Sequence, residues 1–211
     1  MSAQIDEENM ARVQDDRTTV VERFHPTSGR VTGWLTVLLA AAVVVGGAAY
    51  RDDGFPMWVS GGALLVGVLA WAAMLRPALW VTDDHLVMRN LAETVHIRLA
   101  AVEELAVRQV LAVRAADRRW VSTVVGRSWR KAAQTRHRPS GEGGPQEGMP
   151  YADFVEHRLH ELVDSARTAA GVRPGSPDQL ALPDAVRRER AWLPIGLLAA
   201  SAGVLLVSLL L

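Results

Sequence analysis

The sequence predicts an α+β membrane protein: a transmembrane α-hairpin, a small antiparallel β domain, a long amphipathic helix and a C-terminal transmembrane helix. Three uncharged apolar runs each approach the ~20 residues that a helix needs to cross a hydrocarbon core of about 30 Å. Between the second and third runs, apolar and polar residues first alternate, which is typical of half-buried strands. Apolar residues then recur at helical spacing, which indicates an amphipathic helix.

The composition excludes some classes of function. The formal net charge is zero, and neither polar part of the chain is basic enough for nucleic acid to be its main partner. Cysteine is absent, which excludes disulfides and thiolate catalysis. Nearly all basic residues are arginine, and Ala and Val are abundant. This bias is typical of a GC-rich genome and hints at an actinobacterial source.

Residues 1–30 are predicted to form a flexible cytoplasmic leader, because Asp, Glu, Gln, Arg and Thr mix here without a sustained apolar periodicity. The leader is too long and too acidic for a signal peptide, which has a short basic start and a short apolar core. The first apolar run is therefore predicted to be a membrane span.

The membrane segments are predicted at residues 31–50, 57–75 and 191–211. The first two form a hairpin, residues 31–75, around the polar turn 51–56. No Asp, Glu, Lys, Arg or His occurs inside the three spans. An ionisable group within the membrane is the usual mark of a transport pathway. The spans therefore indicate an anchor rather than a transporter.

The arginines beside the spans predict their orientation, because positive flanks stay in the cytoplasm. The turn 51–56 offers only Arg51, beside two aspartates. The arginines that flank the other span ends are Arg23, Arg30, Arg76, Arg187, Arg188 and Arg190. The N-terminus and residues 76–190 are thus predicted to be cytoplasmic. The turn 51–56 and the C-terminus are predicted to lie outside the plasma membrane.

Small residues recur at four-residue spacing within the spans, and such spacing lets helix backbones approach closely in lipid. The pairs are Ala42 and Gly46, Ala63 and Gly67, Gly196 and Ala200, and Ala199 and Gly203. Two interpretations stay open. The pairs form a face for a homo-oligomer or a protein partner, or the three spans of one chain pack on each other through them.

A β domain is predicted at residues 76–134, directly after the second span, because Pro77 pushes Arg76 away from helical geometry. Its predicted strands are Ala78–Thr82, His85–Asn90, Thr94–Leu99, Glu104–Arg114 and Arg119–Val125. The connections are short enough for hairpins. The pattern therefore indicates a small meander that is curled into a barrel or packed under a helix.

The rest of the polar part divides into a loop, a helix and a tether. Residues 135–150 have the composition of a flexible loop. Apolar residues at helical spacing, from Tyr151 and Phe154 onward, predict an amphipathic helix at residues 151–171, packed on the β domain and capped by its last glycine. Residues 172–190 are rich in Pro and Gly and are predicted to be a tether to the third span.

The order of these parts carries a resemblance. The residues that support it are Arg76-Pro77-Ala78-Leu79-Trp80-Val81-Thr82-Asp83-Asp84-His85-Leu86-Val87-Met88-Arg89-Asn90, Val95-His96-Ile97, Val102 and Glu104–Val107. The chain resembles bacterial pleckstrin-homology (PH)-like membrane proteins, in particular the actinobacterial group named after low-molecular-weight protein antigen 6. The likeness covers about residues 26–131 and the helix at 151–171. It implies two packed small sheets, a PH-like barrel or sandwich, with a capping helix and membrane attachment. It implies no established activity.

One feature departs from the better-known relatives of this group. Phosphoinositide-binding PH domains carry basic residues around the first hairpin loop. Here that loop is Thr82-Asp83-Asp84-His85, which is acidic and would repel a phosphorylated headgroup. Specific inositide binding is therefore not expected.

No motif predicts catalysis or a cofactor. His157 and His160 have a spacing that can ligate a metal, but the opposite face of their helix is apolar and no second ligand cluster is suggested. A solvated helix face is the favoured interpretation. The sequence shows no serine triad and no phosphate-binding glycine loop. No catalytic, cofactor or metal residue is therefore predicted.

Residues 107–138 form the most basic segment, with Asp117 as its only acid. They contact anionic lipid headgroups, or they are a solvated strand edge and a charged loop; both interpretations stay open. Trp120 and Trp129 lie among the arginines, but no recognition motif supports nucleic-acid binding. The candidate contacts to anionic lipid are Arg30, Arg76, Arg127, Arg130, Lys131, Arg187, Arg188 and Arg190.

The sequence therefore predicts a non-enzymatic integral membrane protein that holds a cytoplasmic PH-like domain at the inner leaflet, for lipid contact or for docking a partner. The alternative is an accessory or regulatory subunit of a membrane enzyme or transporter complex. The expected partners are membrane lipids, and a protein or a second copy bound through the small-residue faces of the helices.

Overall fold

The computed structural model describes residues 20–26, 29–50, 52, 54–126 and 150–210. The fold is α+β. The helices are α1 (Arg30–Ala49), α2 (Met57–Ala70), α3 (Tyr151–Ala170), α4 (Pro177–Leu180) and α5 (Trp192–Leu210), and α2 continues as a π-helical turn over Trp71–Leu75. The strands are β1 (Val20–Phe24), β2 (Ala78–Thr82), β3 (His85–Arg89), β4 (Glu93–Arg98), β5 (Glu104–Val107), β6 (Leu111–Ala115), β7 (Arg118–Ser122) and β8 (Val186–Arg190).

The prediction of an α+β chain with three helices suited to a membrane is confirmed. Three helices are long and apolar enough to cross one: Arg30–Ala49, Met57–Leu75 and Trp192–Leu210. The second packs against both of the others. A Cβ added to Gly67 would lie 2.9 Å from the Cβ of Ala40, and one added to Gly61 would lie 3.0 Å from the Cα of Leu205. These two glycines therefore let the three helices pack closely within one chain.

All strand pairs are antiparallel. β1, β2, β3, β4 and β8 form a five-stranded sheet in that order, and β5, β6 and β7 form a three-stranded sheet. Inner-facing residues of both sheets and one face of α3 share a single hydrophobic core, which includes Leu79, Leu86, Ile97, Leu111, Val113 and Leu159. No barrel closes among the described strands. The helix face in this core consists of Ala152, Val155, Leu159 and Val163.

The prediction of a flexible leader up to residue 30 is wrong at Val20–Phe24. This segment is β1, which pairs with β2 so that Phe24 lies opposite Leu79. Phe24 belongs to the core and is 4% exposed, whereas Val20 and Val21 are exposed. With one buried side chain in five residues, the strand shows no alternation that a sequence pattern could reveal.

The prediction of a tether over residues 172–190 is wrong in two places, because this segment contains the helix α4 and the strand β8. The side chain of Ser176 caps the short helix α4 by accepting a hydrogen bond from the backbone N–H of Gln179. Val186–Arg190 is β8, paired with β4 along its length. Four of its five residues are exposed and charged, so its backbone hydrogen bonds hold it at the sheet edge without an apolar pattern.

The single strand predicted at Glu104–Arg114 is a hairpin. Leu105 lies opposite Val113, and Val107 lies opposite Leu111. The connection is three residues long, so the apolar residues of both strands fall on every second position of one continuous count along the chain. A period of two therefore continues through the turn, and the pattern alone cannot show where the chain reverses.

Candidate functional site

All three candidate membrane helices join one end of the five-stranded sheet. β1 ends shortly before α1, β2 begins shortly after the π-helical turn that ends the second candidate span, and β8 ends shortly before α5. The strand pairing places these strand ends side by side in one row, because Ala78 lies opposite Arg89 and Glu93 lies opposite Arg190. We call this row the helix-joined end. The far end of the domain contains the β2–β3 turn at Asp83-Asp84 and the C-terminal half of α3.

Arg76 links the second candidate span to the sheet. Its guanidinium Nη1 donates hydrogen bonds to the carbonyl oxygens of Asn90 and Leu91, the latter at 3.0 Å. Arg89 Nε in turn donates to the carbonyl oxygen of Arg76 at 3.1 Å. Burial, and then the nearby charge of Arg89, lower the pKa of Arg76. The sequence predicts that Arg76 contacts lipid. In the structure, its guanidinium lies against the β3–β4 turn.

The third candidate span joins the sheet through β8 and β4. The backbone N–H of Ala191 donates to the carbonyl oxygen of Ala92 at 2.9 Å. Arg188 lies 2.5 Å from Glu93, measured from Nη2 to Oε2, and its guanidinium stacks 5.4 Å from the ring centroid of Trp120. Arg187 pairs with Glu189 at 2.5 Å. Two of the predicted lipid contacts, Arg187 and Arg188, thus have acidic partners in the protein.

Arg30 and Arg190 remain as outward cations at the helix-joined end. Both side chains are exposed, and neither forms an ion pair with another residue in the described part of the chain. Arg190 lies 5.9 Å from the ring centroid of Trp192, at the start of α5. The other predicted contacts, Arg127, Arg130 and Lys131, lie outside the described residues.

Two aromatic residues at the start of α3 also belong to this end, although no sequence motif marks them as a site. The hydroxyl oxygen of Tyr151 accepts a hydrogen bond from the backbone N–H of His25 at 2.8 Å. The ring of Phe154 stacks on Tyr151, with centroids 6.3 Å apart. The two side chains are 38% and 37% exposed, although helical spacing assigns them to the apolar face. The feature that marks them as part of a candidate site is their proximity to the residues before α1, and only the three-dimensional structure shows it.

Charged contacts hold α3 along the domain. Arg158 Nε donates to Glu22 in β1 at 2.9 Å, and its Nη1 donates to Glu161. The hydrogen bond to Glu22, followed by that to Glu161, raises the pKa of Arg158. Nearer the C-terminal end of α3, Arg167 Nη2 donates to the carbonyl oxygen of Val102 at 2.5 Å. The helix, about 30 Å long, therefore runs from the helix-joined end to the far end.

The two histidines of α3 contact groups of their own helix. His157 Nε2 lies 3.3 Å from Glu161 Oε1, and His160 Nδ1 lies 2.7 Å from the carbonyl oxygen of Glu156. Among the residues that the structure describes, no group of three or more His, Asp and Glu is arranged to hold a metal ion.

The acidic first hairpin turn is distant from the helix-joined end. Asp83-Asp84 lies at the far end, between strands whose other ends meet the helices. Its charge is therefore remote from the helix-joined end, which combines outward cations with exposed aromatic rings. Such a mixture is typical of protein surfaces at a membrane interface.

Comparison of the chain with protein-family models, with curated proteins and with solved structures finds no match.

Proposed function

We propose that this protein is a non-enzymatic integral membrane protein whose three transmembrane helices hold a PH-like β domain against the cytoplasmic leaflet. The helix-joined end then lies toward the lipid headgroups. The observation that carries the proposal is that all three candidate spans join one end of one sheet. The surplus of arginine beside the inner span ends supports the cytoplasmic side.

Lipid contact is the activity that this arrangement favours. Arg30 and Arg190 are exposed beside the spans, and a basic group near an anionic membrane surface contributes about 1 kcal/mol. Arg127, Arg130 and Lys131 are further candidates from the sequence. Arg76, Arg187 and Arg188 are candidates that also have partners within the protein: Arg76 bonds the β3–β4 turn, Arg187 pairs with Glu189 of its own strand, and Arg188 pairs with Glu93 of β4.

The PH-like assignment is also a proposal. Two antiparallel sheets share one core with a helix, which agrees with the architecture that the resemblance implies. β8 extends the first sheet beyond the strands that the resemblance covers. A fragment of residues 76–171 would lack β1 and β8, so experiments on the domain need the full chain.

The experiment compares full-length protein in nanodiscs of phosphatidylcholine alone and of phosphatidylcholine mixed with phosphatidylglycerol. An arginine-selective dicarbonyl reagent modifies exposed guanidinium groups, and mass spectrometry gives the rate at each site. We expect slower modification of Arg30 and Arg190 in the anionic discs, and recovery of the rate at high salt, which screens such contacts. Arg118 and Arg173 are exposed toward the far end and serve as internal controls. Equal rates in both discs at Arg30 and Arg190 would refute lipid contact.

One observation favours a second function, that of an accessory or regulatory subunit of a membrane complex. A Cβ added to Gly196 or Gly203 of α5 would have no neighbour within 4 Å, so this small-residue face is uncovered in the single chain. Such faces permit close helix packing in lipid. Crosslinking of the full-length protein in its native membrane tests this function. A stoichiometric product of different mass supports it, and monomer alone contradicts it.

A further inference from the structure

We propose that Tyr151 and Phe154 form an additional attachment of the β domain to the membrane. The two rings seat at the boundary between the headgroups and the acyl chains of the bilayer that the three helices cross. This inference rests on the proposed function, because it needs the helix-joined end to face the lipid.

The position of the two rings supports the bilayer as the medium that covers them. Tyr151 accepts its hydrogen bond from the backbone of His25, and α1 begins only five residues later at Arg30. The rings therefore lie beside the point at which the chain enters its first candidate span. Because the pair lies at the helix-joined end, from which all three candidate spans extend, a bilayer around those helices is the apolar medium that the rings can meet.

The chemistry of the pair fits an interfacial layer. Ala152 and Val155, each next to one of the aromatic residues along α3, are buried in the core, so the helix cannot rotate to bury the rings without exposing these two side chains. Tyr151 and Phe154 therefore remain more than one third exposed at this end. Aromatic residues are enriched at membrane–water interfaces, where an apolar ring and a polar tip are both accommodated. The stacked geometry, with ring planes 28° apart, presents the two rings together as one patch.

The experiment uses the absence of cysteine from the chain. Full-length variants with a single cysteine carry an environment-sensitive fluorophore and are reconstituted into phosphatidylcholine–phosphatidylglycerol nanodiscs. The test site is Phe154→Cys. The matched control is Ala169→Cys, exposed on the same helix about 22 Å further along. Ala191→Cys, directly before α5, marks the membrane surface. Two quenchers are compared: a nitroxide attached to the lipid near the headgroup, and aqueous iodide.

We expect the lipid nitroxide to quench the label at 154 several-fold more than the label at 169, and iodide to show the reverse order. His157→Cys, one turn along α3, should give intermediate values. This second site also replaces the first if Phe154→Cys fails to fold. The predicted order of lipid quenching is 154, then 157, then 169.

Three outcomes would overturn the inference. If iodide reaches positions 154 and 169 equally while the lipid nitroxide quenches 191, the aromatic attachment is wrong and the proposed function stands. If none of the labels is quenched from the lipid, both are wrong. If the label at 154 is shielded from both quenchers, protein rather than lipid covers the pair.

Discussion

Replacement of Arg76 is the most informative test of the junction between helix and sheet. Arg76→Met keeps the length of the side chain but removes two charge-assisted hydrogen bonds to the carbonyl oxygens of Asn90 and Leu91. Such bonds contribute about 1.5–3 kcal/mol each, and leaving a partly buried carbonyl without a partner adds to the cost. The loss is partly offset because the guanidinium is itself desolvated, as its lowered pKa indicates.

The expected net loss in the free energy of unfolding is about 2 kcal/mol, since desolvation cancels part of two such bonds. For a domain of this size, that corresponds to a fall in Tm of about 8 °C. Thermal unfolding of full-length protein in nanodiscs measures it. Amide hydrogen exchange should rise at the β3–β4 turn, which is closed by the bond from Asn90 N–H to the carbonyl oxygen of Glu93. Arg173→Met, at an exposed site toward the far end, is the control and should change neither quantity.

Arg76→Lys separates this positioning role from a contact with lipid. Lysine keeps the charge but lacks the planar guanidinium, whose Nη1 donates to both carbonyl oxygens. We expect an intermediate Tm and partial loss of exchange protection. If Arg76→Lys matches the unsubstituted protein while Arg76→Met is destabilised only in anionic discs, Arg76 acts as a lipid-facing charge and the reasoning is wrong.

Three further predictions follow from packing and buried hydrogen bonds, and two of them have a control substitution. Gly67→Leu should separate two candidate membrane helices and lower the Tm in nanodiscs, whereas Gly196→Leu, where a side chain meets open space, should leave the Tm unchanged. A larger fall in Tm for Gly196→Leu than for Gly67→Leu would indicate that the uncovered face of α5 matters more than the packing between helices. Gln179→Leu should lower the free energy of unfolding by about 2–4 kcal/mol, because the buried amide of Gln179 forms hydrogen bonds with three backbone groups. Unchanged hydrogen exchange in α4 would contradict this role. Leu159→Ala should lower the free energy of unfolding by about 2–5 kcal/mol. Phe154→Ala, on the exposed side of the same helix, should cost far less in detergent, and equal losses would argue against the observed burial.

The parts of the fold that could be predicted are those whose side chains carry a strong periodic signal. The spans are long and uncharged, and β4 alternates between buried Val95 and Ile97 and partly exposed neighbours. β1 and β8 lie at the two edges of the five-stranded sheet, where backbone pairing is sufficient and few side chains are buried. Their sequences therefore resemble a leader and a tether.

The candidate site was predictable in composition but not in geometry. The sequence shows that arginines cluster beside the spans. It cannot show that Arg76 turns toward a hairpin or that Arg188 pairs with Glu93, because each contact joins segments that are distant along the chain. Tyr151 and Phe154 fit the apolar spacing of their helix, and only the packing of α3 against β1 shows that both stay exposed.

The central claim is that the three helices place the β domain on the cytoplasmic side. Single cysteines introduced by Asp53→Cys and Asp117→Cys into the cysteine-free chain test it directly, with a membrane-impermeant maleimide applied to intact cells. We predict that the Asp53→Cys variant is labelled in intact cells and that the Asp117→Cys variant is labelled only after permeabilisation. Labelling of Asp117→Cys in intact cells, with Asp53→Cys protected, would contradict the proposed arrangement.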